Sequence, residues 1–513
     1  MRSGNRQAPA ADPLGDEAET WVDRWLGKLT PRQKLAQRLV VLPGQTGEGC
    51  PDDAVRGALA AGVGVLHGLT SISVSGAGRY HAEVGDLCAE LGVPPVLVGA
   101  NLESGIGYTL GGGGTDFPYP RGVGFSGSAE LARRVAEAAA REARAVGFHW
   151  TFSPCVDVLT NPDDPILGVR AFGVDAERAG QLGAAQVRGY QSGGLLATAK
   201  HYPGHGDSAQ DTHSESSVLA RTREDHERLH LPPFRDAVAA GVASVMVAHV
   251  ALPALGVDGP ASLSALVNRV WLREDLGFDG LIVTDSLRMG AIAGRWNTAD
   301  AAVMALAAGA DVANVKCPAA EVPALLDVLE EALSAGVLDH DELDRSVTRL
   351  LHARTWLSLH RGHGIDLDLC RSLDAGADWE DPERARTVNA QASRLAGPVV
   401  VVGDSELAAQ VAVRLDAAHV AAPPEEPGAL TRPGVAVVAV TCPLPVDGGR
   451  DSEAFAQAVR SARAAGQDVV AVVNSTCAAA DLRVSGPSVS VPAVDAFGIV
   501  SRAAVAAVAE VLR

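Results

Sequence analysis

"SVMVAHV" (residues 244–250) places four apolar residues in a row directly before a histidine. A second apolar run, "LIVT" (281–284), ends immediately before Asp285. Apolar residues at consecutive positions, rather than at every second position, are typical of short strands that helices cover on both faces. The amphipathic stretch "DHERLHLPPFRDAVAAG" (225–241) precedes the first run and has the pattern of such a helix. This part of the chain therefore predicts alternating helices and parallel strands.

The same alternation extends toward both ends of the chain. Further candidate strands lie at 39–42, 63–66, 96–100, 148–152, 195–199 and 311–315. Amphipathic segments such as 129–147 lie between them. Eight strand–helix units in succession predict an α/β fold of the (β/α)8 TIM-barrel type. A large, doubly wound open sheet is the alternative that the pattern leaves open.

A weakly patterned stretch separates this region from a second one, where the alternation resumes at "GPVVVVGD" (397–404). We therefore expect four parts: an N-terminal tail at 1–24, a TIM-barrel domain at 25–360, a linker at 361–396 and a smaller C-terminal α/β sandwich domain at 397–513. The segment "VVVVGDSELA" lacks both GxGxxG and a Walker lysine. No cofactor is predicted for it.

Composition excludes several classes of partner. The chain has 513 residues and a formal net charge of −19, which repels nucleic acid and anionic membranes. Its seven cysteines are scattered without a CxxC pair, which argues against a disulfide framework or structural zinc. No apolar run has the pattern of a signal peptide or a membrane span. We expect a cytoplasmic protein, either a monomer or a homodimer.

Polar side chains follow most of the predicted strands. They are Asn101 and Glu103 after the third strand, Arg170 in the loop after the fourth, Lys200 and His201 after the fifth, His249 at the end of the sixth and Asp285 after the seventh. In (β/α)8 barrels the chemistry occurs at the C-terminal ends of the strands. These residues are therefore predicted to share one site.

"AKHYPGHGDSAQDTH" (199–213) concentrates three histidines and two aspartates in one loop. A metal site with His201 and His205 one helical turn apart is disfavoured, because the Pro203–Gly204 break prevents that helix. Asp211 and His213 are two residues apart and point the same way in an extended loop, which suits a carboxylate orienting an imidazole. From the residues alone, a solvated polar loop remains an equal alternative.

Three motifs carry a resemblance to a known family. "KHYPGHGDSAQDTH" (200–213), "NPDDPILGVRAFG" (161–173) and "LREDLGFDGLIVTDSLRMGAI" (272–292) resemble the catalytic barrel of glycoside hydrolase family 3, and specifically its bacterial β-N-acetylglucosaminidase branch. The resemblance covers about residues 25 to 360.

The resemblance implies a retaining mechanism on a glycoside that bears N-acetylglucosamine. Asp285 would be the nucleophile, and His213 the general acid and base, with Asp211 orienting it. Residues expected to bind the sugar are Asn101, Arg170, Lys200, His201 and His249. Neither a metal nor a cofactor is implied.

The stretch "NLESGIGYTL" (101–110) departs from the family pattern. Asn101 stands where many members carry aspartate, while Ile106 and Thr109 stand where arginines often occur. These changes weaken the expectation of an acidic sugar neighbour. Peptidoglycan fragments are the default substrate, with a GlcNAc-bearing glycoconjugate or a natural-product intermediate as alternatives.

Other activities also remain open at this stage. Phosphate could replace water as the acceptor. Outside the glycosidases, the alternatives are a carbohydrate-binding protein on a degenerate barrel and a metal-dependent hydrolase.

Overall fold

The computed structural model describes the following residues: 15–161, 164, 167–208, 217–359, 364–383, 386, 389–390, 399–402, 406–415, 417–420, 436–441, 451–464, 469–474, 488–491 and 502–512. In chain order the strands are β1 (Val40–Val41), β2 (Val65–His67), β3 (Leu97–Ala100), β4 (Thr115–Asp116), β5 (Trp150–Thr151), β6 (Thr198–Tyr202), β7 (Ser217–Val218), β8 (Ser244–Val247), β9 (Val250–Ala251), β10 (Leu281–Thr284), β11 (Ala377–Asp378), β12 (Asn389–Ala390), β13 (Val399–Val402), β14 (Ala418–Val420), β15 (Ala436–Thr441), β16 (Val469–Asn474) and β17 (Ser488–Val491).

The helices alternate with these strands over most of the chain. They are α1 (Gly15–Lys28), α2 (Pro31–Gln37), α3 (Asp53–Ala60), α4 (Val74–Leu91), α5 (Ile106–Leu110), α6 (Pro120–Ser126), α7 (Ala129–Val146), α8 (Ala176–Ser192), α9 (Arg223–Asp225), α10 (Pro232–Ala239), α11 (Gly290–Ala293), α12 (Thr298–Ala307), α13 (Val322–Ser334), α14 (His340–Trp356), α15 (Leu367–Leu373), α16 (Glu406–Leu415), α17 (Asp451–Ala464) and α18 (Arg502–Leu512). Two π-helical turns occur at His226–His230 and Leu266–Asp275. Within the described helices, none is long and apolar enough to cross a membrane.

Two parallel sheets form the first part of the chain. One has the order β1-β2-β3-β5 and the other the order β10-β8-β6. The expected α/β architecture with parallel strands is therefore confirmed.

Isolated parallel bridges extend the pairing beyond these two sheets. Trp150 pairs with Leu196, next to the start of β6, and Val283 of β10 pairs with Val312. Ala313 in turn pairs with Leu39, beside β1.

The predicted strand at 311–315 is a series of bridges rather than a ladder. Val312 N donates to Ile282 O at 3.0 Å, whereas Ala313 N donates to Arg38 O at 2.8 Å. Because successive residues bond to opposite neighbours, no continuous ladder forms with either one. The segment still passes between β10 and β1. The residues that follow it therefore lie at the same edge as the C-terminal ends of the neighbouring strands.

The helix α7 illustrates why the covering helices form where they do. The Ser128 side chain accepts from Leu131 N and caps its start, and Gly147 ends it with φ 96°. Leu131, Val135 and Ala139, spaced three to four residues apart, are buried and form the apolar stripe that faces the sheet. A separate cluster that includes Trp150 fills the space between the strands.

The residues after 360 contribute a further, six-stranded sheet. Its order is β12-β17-β16-β15-β13-β14, parallel except for the β12–β17 pair. Between the two regions, α15 buries Cys370, and β11 pairs in parallel with β4. Part of the predicted linker therefore packs against the first region.

Candidate active site

One pocket of about 280 Å³ opens where the parallel strands end. Its walls come from β6 and β8 themselves, from the segments that follow β3, β5, β6 and β10, and from the residues after the bridged segment at 312–313. The lining residues are Asn101, Tyr108, Phe152, Leu167, Arg170, Lys200, His201, His205, Met246, Asp285, Ser286, Arg288, Met289, Asn314 and Lys316. Its volume lies near the lower end of small-molecule sites, which suits a single sugar ring.

A buried carboxylate organises one wall of this pocket. Glu103 Oε1 accepts from Lys200 Nζ at 2.8 Å and from Arg170 Nη2 at 2.9 Å. Lys200 Nζ also donates to Asn101 Oδ1 at 3.2 Å. The side chains of Glu103, Lys200 and Arg170 are all at least nine-tenths buried. Residues that are 67 and 97 positions from Glu103 in the sequence thus meet it in one charged cluster.

Electrostatics keep this cluster ionised. Burial alone would raise the pKa of Glu103, but the charges of Lys200 and Arg170 hold that pKa at about 2. Burial lowers the pKa of Lys200, and the carboxylate of Glu103 opposes that shift. Each partner therefore depends on the others to remain charged out of contact with bulk water.

A second buried carboxylate, Asp157, holds the loop that follows β6. Its Oδ2 accepts from His201 N at 2.9 Å and lies 2.7 Å from His201 Nδ1. Its Oδ1 accepts from His205 N at 2.7 Å. One side chain therefore positions both pocket-lining histidines.

The environments of these two histidines differ. Burial lowers the pKa of His201, although the bond and charge of Asp157 oppose the shift. Burial also acts to lower the pKa of His205, but the bond and charge of Asp164 raise it overall. The pKa values of these two neighbouring imidazoles are thus shifted in opposite directions.

Cys155, Asp157 and His201 form a compact group of possible metal ligands, with the donor atoms within 4.8 Å of one another. Two features of this group do not fit a metal. Asp157 Oδ2 is already engaged by His201 Nδ1, and burial raises the pKa of the Cys155 thiol well above its ordinary value. A metal requires the thiolate. The group is therefore better described as a hydrogen-bonded support for His201.

Asp285 follows β10 and lies half-buried in the pocket wall. Its backbone N–H donates to Val247 O at 2.9 Å, and its Oδ1 accepts from Ser286 N at 2.7 Å. Both bonds fix the carboxylate at the end of the strand.

His249, predicted to bind the sugar, is a buried residue that contacts the turn after β10. Its Nδ1 is 2.7 Å from Ser262 Oγ, and its Nε2 is 2.9 Å from Ser286 O. It is not a lining residue of the pocket, because both ring nitrogens point to these partners. It holds the turn that carries Asp285.

The structure thus brings together five of the residues singled out in the sequence, namely Asn101, Arg170, Lys200, His201 and Asp285. Asp211 and His213 lie outside the described residues. Sequence reasoning noted Glu103 without giving it a role, and it missed Asp157, Asn314 and Lys316 entirely. The one available signal for Asp157 was a lone charge in the apolar stretch "FSPCVDVL" (152–159).

Several known proteins are similar to this chain in sequence or in fold. A solved β-N-acetylglucosaminidase of glycoside hydrolase family 3 from Paenibacillus sp. str. FPU-7 superposes with a TM-score of 0.78 at 27% identity, over 94% of this chain and 96% of that one. "Beta-hexosaminidase LpqI" of Mycobacterium tuberculosis is 34% identical over 335 residues, which are 63% of this chain and 82% of that protein.

"Beta-N-acetylglucosaminidase/beta-glucosidase" of Cellulomonas fimi is 32% identical over 384 residues. These are 73% of this chain, and the chain spans 65% of the length of that relative. The model of the glycosyl hydrolase family 3 N-terminal domain matches residues 83–353. With that match over more than half of its length, the chain belongs to glycosyl hydrolase family 3.

Proposed function

We propose that this protein is a retaining β-N-acetylhexosaminidase that removes terminal β-linked N-acetylglucosamine. The observation that carries the proposal is the placement of Asp285 in the same small pocket as Lys200, Arg170 and Asn101. The relatives named β-hexosaminidase and β-N-acetylglucosaminidase support the choice of sugar.

In the proposed reaction the carboxylate of Asp285 attacks the anomeric carbon and displaces the leaving oxygen. His213, oriented by Asp211, gives its proton to that oxygen, and a covalent glycosyl-enzyme results. His213 then takes a proton from water, which attacks the same carbon and releases Asp285. Two displacements at one carbon retain the β configuration.

The charged wall supplies donors for the sugar hydroxyls. Lys200 has three N–H donors, and two of them point to Glu103 and Asn101. Arg170 uses its Nε and Nη2 on Glu103, and no described residue bonds to its Nη1, which could donate to a ligand. Because Glu103 fixes both cations, they meet the substrate already oriented.

The proposal also covers the fold that positions the site residues, namely a closed barrel followed by a second domain. The bridges Trp150–Leu196, Val283–Val312 and Leu39–Ala313 join the two parallel sheets edge to edge. They support a closed (β/α)8 barrel over residues 25–360, with a tail at 1–24, a linker at 361–396 and a second domain at 397–513.

Covalent labelling tests the assignment of Asp285. The protein is incubated with an activated 2-acetamido-2-deoxy-5-fluoro glycoside, digested, and the labelled peptide is identified by mass spectrometry. We expect the label on Asp285 and none in Asp285→Asn. Asp258→Asn, a change at an exposed aspartate, is the matched control and should label normally. A label on another residue, or release of the α-configured sugar in an NMR assay, would refute the proposed role.

A further inference from the structure

The pocket has a second polar wall that none of the recognised motifs includes. It is formed by Asn314 and Lys316, which follow the bridged residues between β10 and β1. The Lys316 backbone has φ 42° and donates its N–H to Val40 O at 3.0 Å. Only Ser71 and Ser358 share a positive φ among the non-glycine residues of the described ranges. Such a conformation is unfavourable for lysine, and residues held this way cluster at ligand sites.

Among the residues that the structure describes, Lys316 is the pocket cation to which no carboxylate is bound. Arg170 and Lys200 both contact Glu103, and Arg288 lies 3.5 Å from Glu321. Lys316 is half-buried, and within the described part of the chain its ammonium makes no hydrogen bond or ion pair. Burial lowers the pKa of Lys316, while the charge of Asp285 opposes the shift. A partly desolvated cation of this kind gains most from an anionic partner.

The choice of lysine is itself unusual for this chain. Lysine and arginine together number 43, and only four of these residues are lysine. Two of the four, Lys200 and Lys316, line the same pocket. Half of the lysines of this chain thus line one pocket. The lysine ammonium is a compact charge with three rotatable donors, which suits a group that faces a ligand.

Asn314 adds an amide to this wall. The residue is 2% exposed, and its Oδ1 has no hydrogen-bond partner among the residues that the structure describes. A buried amide oxygen without a hydrogen-bond partner is unfavourable, so a ligand that donates to it gains affinity. The second wall thus offers both an acceptor and a cation to the bound molecule.

We propose that Lys316 binds an anionic substituent of the sugar that lies against Asp285, so that the natural substrate is an acidic N-acetylglucosaminide. This inference rests on the proposed function and specifies in addition that the substrate carries a negative charge. A pocket of about 280 Å³ that also contains Asp285 has room for the reacting ring rather than for a long aglycone. Lys316 would thereby supply a cation in a chain where Ile106 and Thr109 stand at positions that often carry arginine.

The test compares neutral and anionic substrates. Rates are measured on p-nitrophenyl N-acetyl-β-glucosaminide, on its 3-, 4- and 6-sulfates and 6-phosphate, and on the neutral sugar with a carboxylated aryl leaving group. In the unsubstituted protein, kcat/KM for at least one charged-sugar substrate should exceed that of the neutral one by about 10-fold or more. Lys316→Met should abolish this preference, while Lys316→Arg keeps most of it. Lys28→Met, at an exposed lysine bonded to Gly92 O, should change nothing.

Calorimetric titration of the free N-acetylglucosamine sulfates and 6-phosphate separates this inference from the proposed function. If no glycoside is cleaved, the proposed function fails, whereas tighter binding of an anionic sugar that Lys316→Met abolishes would still support Lys316. The inference is overturned if the neutral sugar is bound and cleaved at least as well as every anionic one. It is also overturned if Lys316→Met keeps the preference, or if only the carboxylated leaving group is favoured.

Discussion

Replacing Glu103 by glutamine keeps the size of the side chain and removes the charge that Lys200 and Arg170 share. The pKa of Glu103 is about 2 in the folded protein, against an ordinary value of 4.5. That difference corresponds to about 3 kcal/mol of stability at neutral pH. Removing one partner of a buried ion pair typically costs about 3–5 kcal/mol. We therefore expect Glu103→Gln to lower the free energy of unfolding by about 3–5 kcal/mol at pH 7.

The pH dependence follows from the sign of the shift. Because folding depresses the pKa of Glu103, its contribution is fully present above pH 4.5 and is lost as the pH falls toward about 2. The difference in unfolding free energy between the parent protein and Glu103→Gln should therefore shrink across that interval. Urea unfolding followed by tryptophan fluorescence at several pH values measures it.

Activity should fall together with stability, because Lys200 and Arg170 lose the group that orients them. The matched control is Glu142→Gln, since Glu142 accepts two hydrogen bonds from Thr115 and forms no ion pair with the described residues. We expect the control to lose about 1 kcal/mol of stability and to keep its kcat/KM on an aryl glycoside. If Glu103→Gln unfolds and reacts like the parent protein, the charged wall does not have the role described.

Three further changes test other parts of the structure. His213→Ala should lose most activity on p-nitrophenyl substrates but much less on a dinitrophenyl glycoside, which needs little protonation; equal losses on both would contradict a general acid. Asn101→Ala should lower kcat/KM, mainly by raising KM, to an extent that corresponds to a loss of about 1–3 kcal/mol in transition-state stabilisation. An unchanged kcat/KM would place Asn101 outside the sugar site. Asp311→Asn should lower the unfolding free energy by about 3–5 kcal/mol, since the buried Asp311 accepts from Arg273 and Arg349, while KM measured on the folded variant stays constant.

The fold was largely predictable because buried parallel strands have a strong local signature. Continuous apolar runs marked β8 and β10 at nearly their observed positions. The rule that chemistry follows the strands then placed Asn101, Lys200 and Asp285 together without knowledge of their distances. The pairing of the eighth segment, 311–315, was harder to predict. Its residues bridge to two different neighbours, but its apolar sequence pattern is the same as that of a regular strand.

Residues whose role depends on distant partners could not be found this way. Asp157 bonds to residues 44 and 48 positions away, and only the pairing of neighbouring strands brings them together. The position of Lys316 depends on a left-handed backbone conformation, for which a lysine gives no signal in the sequence. Local patterns report burial, whereas these contacts arise from the tertiary arrangement.

The bonds that Asp157 makes to His201 and His205 have a consequence for how this site can change. Side chains that share a partner show interaction energies of about 0.5–3 kcal/mol, so their substitutions are not additive. A replacement at His201 alters the carboxylate on which the backbone of His205 also depends, and the rings of the two histidines lie 5.9 Å apart. Epistasis should therefore be concentrated in this loop, and new specificities are more accessible to paired substitutions than to single steps.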